Sequence, residues 1–91
     1  MSDLIQAIKE NQDAFICTAE YRASTTPCFQ NKYNHTELAI AIKSGDWEKV
    51  KDIVELPRYQ VAFKRLVWCL NRHDRIGHEE HSRILKIIGE D

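Results

Sequence analysis

The sequence predicts an all-α fold, and three observations carry that expectation. Apolar residues recur at helical spacing along most of the chain. N-cap residues and glycines punctuate the segments. No alternating apolar–polar run and no Asn-Gly hairpin signal occurs. The 91 residues read as one domain, 1–91, near the lower end of what a single apolar core supports. An apolar fraction of 43% with 30% charged residues belongs to a folded chain rather than a disordered one.

The elements follow in order. Residues 3–19 place Leu4, Ile5, Ile8, Phe15 and Ile16 at helical spacings, with Glu10 to Asp13 as a tight turn between two short helices. Residues 20–35 lose the period and collect Ser24, Thr25, Thr26, Pro27 and several asparagines. They read as a long loop with at most one helical turn, and a loop of that length in so small a domain points to function. Thr36 reads as the N-cap of a helix running to Lys43, which Ser44-Gly45-Asp46 then breaks; Gly45 suits a left-handed C-cap. Asp46 caps the next helix, Trp47 to Glu55, where Trp47, Val50, Ile53 and Val54 share a face and Leu56-Pro57 ends the run. Gln60 to about His73 carries Val61, Phe63, Leu66, Val67, Cys69 and Leu70 as a broad apolar face. Asp74 to Gly77 connects to a last helix, His78 to Ile88, with Ile84, Leu85, Ile87 and Ile88 buried and Gly89 as its stop.

A repeat is the most informative pattern. Leu4 to Ile16 aligns with Leu38 to Val50 at an offset of 34, pairing Leu4 with Leu38, Ala7 with Ala41, Ile8 with Ile42 and Lys9 with Lys43. That offset is close to the roughly 33-residue ankyrin period. Residues 35–55 resemble one ankyrin repeat. Thr36 and Leu38 stand at the first and third positions of the family's T-P-L-H tetrapeptide, Ala41 at a small packing position and Gly45 at the inter-helix turn. Glu37 and Ala39 replace the proline and the histidine, and Asn11 takes the place of the turn glycine in the first copy. The resemblance implies a domain of two to three stacked helix-turn-helix hairpins that binds partners through loops and a concave helix face. The alternative is a generic helical bundle containing one such hairpin.

Composition narrows the function classes. The formal net charge is −1, so a strongly basic nucleic-acid binder is not the first expectation. The balance is uneven: residues 1–55 carry −3 and residues 56–91 carry +2. No stretch approaches the roughly 18 apolar residues of a membrane span, and the N-terminus lacks a signal-peptide core. Three cysteines, Cys17, Cys28 and Cys69, lack CxxC spacing and suit free thiols in a reducing compartment, so the expected location is cytoplasmic.

Residue chemistry offers several sites. Cys69, His73, His78 and His81 have spacings that tetrahedral zinc accepts, but the usual paired-ligand signatures are missing, so no metal is expected. No nucleophile motif accompanies a Cys–His pair, and no phosphate-binding Gly-rich loop occurs, so neither a cofactor nor enzymatic activity is expected. Glu79 and Glu80 suit the first turn of a helix by charge alone. Tyr21, Phe29 and Tyr33 beside Arg22 and Lys32, in the expected loop, have the composition of an interaction hot spot. Lys64, Arg65, Arg72, Arg75, Arg83 and Lys86 form a second candidate surface, with Tyr59 and Trp68 as stacking rings.

The leading expectation is a stand-alone protein-interaction module acting as an inhibitor, adaptor or oligomerising subunit, with no further domain. A small inhibitor encoded by a phage or pathogen fits the same description. The alternative is nucleic-acid or nucleotide binding through the basic C-terminal helices. A homodimer is a further expectation, because so small a core gains from shared apolar surface.

Overall fold

The computed structural model describes residues 2–88, apart from the side chain of Ser2; the expected stop at Gly89 lies outside them. Among the described residues the fold is all-α, with six helices: α1 (Ser2–Glu10), α2 (Gln12–Thr25), α3 (Phe29–Ser44), α4 (Trp47–Glu55), α5 (Gln60–Arg72) and α6 (His78–Ile87). A 3-10 turn, Pro57–Tyr59, leads into α5. Among the described residues no helix is long and apolar enough to cross a membrane.

The breaks between helices have local causes. After α3, Gly45 adopts φ 72°, and the Asp46 N–H reaches back five residues to the Ala41 carbonyl at 3.0 Å, a glycine-centred C-cap. The Asp46 carboxylate then accepts the Lys49 N–H at 3.2 Å and caps α4. After α5 the same geometry recurs without glycine. Asp74 takes φ 55°, and the Arg75 N–H bonds the Leu70 carbonyl at 2.8 Å. At Asn11 the side-chain amide donates to the Ala7 carbonyl at 2.9 Å, closing α1 where the repeat has glycine in its second copy.

Residues 20–35 are not a long loop. Helix α2 runs to Thr25, α3 starts at Phe29, and only 26–28 join them. Pro27 makes that break, since a proline disfavours helical backbone at the residue before it, and Thr26 is extended at φ −80°, ψ 125°. Within 20–35 the helices escape the apolar-spacing test because the residues they bury there are small or polar: Ala23 on α2, and Asn34 and His35 on α3. Their periodicity is helical, but the residue types are not the ones that mark a core. Thr36 is accordingly not an N-cap: it lies inside α3 and its hydroxyl donates to the Lys32 carbonyl at 2.9 Å.

The core sits where all six helices meet. An aromatic chain crosses it, Phe15 on α2 stacked against Phe63 on α5 at 6.2 Å, Phe63 against Tyr59 at 6.0 Å, and Tyr59 edge-on to His35 of α3 at 5.3 Å. The most extensive helix contact is α2 on α3; α2 also packs on α5, and α1 packs on α6. The first and last pairs therefore touch. Arg83 of α6 donates to Glu10 of α1 at 3.0 Å and to Glu80 at 3.2 Å, and Asn11 donates to Glu80 at 3.3 Å. Ile84 is fully buried, and Leu85, Ile87 and Ile88 pack partly buried around the core. Val61, expected on the apolar face of α5, points outward instead.

Candidate functional site

Helices α2 and α5 bound an open cleft of about 780 Å³ lined by Tyr21, Arg22, Arg65, Trp68, Cys69, Asn71, Arg72 and His73. On α5, the spacing of Arg65, Trp68 and Arg72 puts all three on one helical stripe. On α2, Tyr21 and Arg22 come from the opposite wall. The cleft thus joins two residues of the aromatic candidate group with two from the basic one.

Both aromatic rings are held. Trp68 is 54% exposed, yet its ring meets His81 of α6 edge-on at 4.7 Å. Tyr21, 52% exposed, meets His73 edge-on at 5.9 Å. Burial beneath Trp68 lowers the pKa of His81 first, and the neighbouring His78 lowers it further. Half-exposed rings braced from behind lose little freedom on meeting a ligand.

The arginines carry the electrostatics. Among the described residues, Lys43 pairs with Glu20, Lys49 with Glu37 at 2.9 Å, and Arg83 with Glu10 and Glu80. No carboxylate pairs with Arg22, Arg65 or Arg72 in the same set. Arg22 is half-buried, and its Nε is enclosed without an acceptor in the protein. Its positive charge reaches the buried pair behind the cleft, His35 Nδ1 and Tyr59 Oη, which are hydrogen-bonded at 2.8 Å. Burial, followed by the Arg22 charge, lowers the pKa of His35 to about 4, and burial pushes that of the Tyr59 phenol up. With both residues 0% exposed, this pair faces the core and no solvent. Tyr59 is therefore not a stacking surface.

The other candidate residues disperse. Phe29, 83% exposed, stands at the start of α3. Tyr33 lies on the side of α4, close enough to affect Lys49. Lys32 lines a shallow groove between α2 and α3 with Glu20, Ser24 and Thr36. Lys64 lines a small pocket with Leu4, Glu55, Gln60 and Phe63, and Lys86 lines an open hollow with Asp3, Glu79 and Arg83. Arg75 sits in the turn after α5, and Arg83 is engaged by Glu10 and Glu80. The four residues weighed as zinc ligands also divide, with Cys69 and His73 in the cleft and His81 under Trp68; among the described residues no group of three or more His, Cys, Asp or Glu converges.

Trp68, expected from the sequence as a stacking ring, lines this cleft. The spacing of Arg65, Trp68 and Arg72 was the available sign, but the facing wall was invisible while 20–35 read as a loop. Compared with family profiles, with curated proteins and with solved structures, the chain has no significant match.

Proposed function

We propose that this protein is a non-enzymatic binding module that docks a protein partner through the α2–α5 cleft. The observation that supports the reading is the convergence of Tyr21, Arg22, Arg65, Trp68 and Arg72 on one concave surface. Tyrosine, tryptophan and arginine are the residue types that dominate protein interface energetics, and they do so from partly enclosed central positions. The ankyrin-like reading of residues 35–55 supports the same class, since α3 and α4 form a helix–glycine–helix hairpin there. On that reading the hairpin is a scaffold beside the cleft, and the role is that of an inhibitor, adaptor or oligomerising subunit.

The test is affinity capture from a lysate of the source cell, comparing wild type with Trp68→Ala and with Phe29→Ala. Both variants must first show the wild-type circular dichroism spectrum and melting curve. A protein captured by wild type and by Phe29→Ala, but lost with Trp68→Ala, supports the cleft as the docking surface. Capture that survives Trp68→Ala, or no protein at all, overturns it. Recovery of nucleic acid in place of protein favours the basic-surface alternative, and binding by that route weakens steeply with salt.

A further inference from the structure

We infer that the α2–α5 cleft is a carboxylate seat, which takes an acidic segment of a protein partner with an adjacent aromatic or apolar side chain packed on Trp68. The inference rests on the docking function proposed above and names the chemistry of the partner.

Three observations converge on it. The cleft concentrates Arg22, Arg65 and Arg72 without a carboxylate among the described residues, while Lys43, Lys49 and Arg83 each have one. Arg22 supplies a second, independent sign. Its side chain lines the cleft half-buried, with the Nε enclosed and lacking an acceptor in the protein, so an anion in the open cleft meets the rest of the guanidinium rather than the Nε. A carboxylate matches a guanidinium through two parallel N–H···O bonds, so it is the anion that the arginines lining the cleft favour by geometry. Third, Trp68 and Tyr21 flank the arginines as braced rings, which gives an apolar anchor beside the charge.

The same observations separate a short acidic peptide from a nucleic-acid strand. Strand binders need a basic groove that follows the backbone over several nucleotides. Here the basic residues that line the cleft are Arg22, Arg65, Arg72 and His73. Arg83 is neutralised by Glu10 and Glu80, and Lys64 lies beside Glu55 in another pocket. A peptide places two or three carboxylates and one ring within the reach of a single cleft.

The test uses the full-length ¹⁵N-labelled protein and follows two side-chain resonances, Arg22 Nε–H and Trp68 indole N–H. Trp47 of α4, whose ring lies under Lys9 of α1 at 5.3 Å, is the internal control. The probe is a blocked peptide of alternating Asp and Glu around one Phe. The comparisons are its lysine counterpart, inorganic phosphate and a short oligothymidylate. The expected result is saturable movement of the Arg22 and Trp68 signals with the acidic peptide, with Trp47 unmoved. Arg22→Gln weakens that peptide roughly tenfold or more. Because Arg22 borders the core, the exposed double variant Arg65→Gln/Arg72→Gln gives the same readout where Arg22→Gln perturbs folding. Signals that stay still with the acidic peptide overturn the seat, as does tighter binding of oligothymidylate. Movement by phosphate equal to that by peptide reduces the site to general anion attraction and overturns it too. A captured partner that depends on Trp68 but is not displaced by the acidic peptide overturns the carboxylate seat and leaves the docking function standing. A partner indifferent to Trp68 removes both.

Discussion

His35 is where a single residue does most to set the behaviour of the molecule. Buried against Tyr59 and facing the Arg22 charge, it stays neutral down to about pH 4, whereas an unfolded imidazole takes a proton near 6.5. Between those values the unfolded chain binds more protons than the native one, so stability falls as the pH is lowered through that window. The full difference is worth ~3 kcal/mol. His35→Gln is expected to flatten the dependence of the denaturation midpoint on pH between 6.5 and 4, and urea titrations at several pH values measure it. His81, whose pKa is also lowered by burial, leaves a smaller slope of the same sign. An unchanged slope in the variant sinks this account of His35. Gly45 is the second residue whose identity matters by itself. A Cβ there meets nothing within 4 Å, but φ is +72°, so Gly45→Ala is expected to cost about 1–2 kcal/mol through backbone strain alone. Gly45→Asn should cost less, because asparagine tolerates the left-handed region better, and chemical denaturation distinguishes the two.

Among the elements, α4 was legible to the residue, since Asp46, the spacing of Val50, Ile53 and Val54, and Leu56-Pro57 mark both its ends and its face. Helix α6 followed suit from Ile84 and its acidic first turn. The end of α2 and the start of α3, within 20–35, were not legible, for a physical reason. The buried faces of the two helices include Ala19, Ala23 and Ala39, together with Thr18, Asn34 and His35, which propensity assigns to surfaces or turns. Aromatic residues that usually mark a core, Tyr21, Phe29 and Tyr33, point outward instead. Tight packing by small residues is testable. Ala19 is 0% exposed on α2, and Ala19→Leu is expected to destabilise the protein by about 1–3 kcal/mol through overpacking. A neutral or stabilising effect in thermal denaturation shows instead that the helices are loosely packed there.

For the whole molecule, the contacts between α1 and α6 and between α2 and α5 bring the two ends of the chain together. The principal extents of 31, 26 and 23 Å are correspondingly similar. In a linear array each repeat contacts only its neighbours and local unfolding is graded. Here the last helix supports the first, so loss of α6 packing reaches the entire core. Ile84 is fully buried, and Ile84→Ala is expected to cost about 2–5 kcal/mol. Far-ultraviolet circular dichroism and the fluorescence of Trp47 and Trp68 should then shift to a lower midpoint together. Separate transitions for the two probes contradict the cooperative reading.

The sequence by itself determined the all-α class, the glycine and aspartate boundaries around α4, and most of the apolar core, because those depend on local backbone preference and on residues whose burial is their ordinary state. It also marked the aromatic and basic residues as two separate groups. Only the tertiary structure decided which of them meet. Tyr21 and Arg22 join Arg65, Trp68 and Arg72 because α2 continues through Thr25 and packs on α5, where Phe15 stacks against Phe63. Such contacts link residues far apart in the chain through shape and polarity in a shared interior, and no periodicity along either helix alone encodes them.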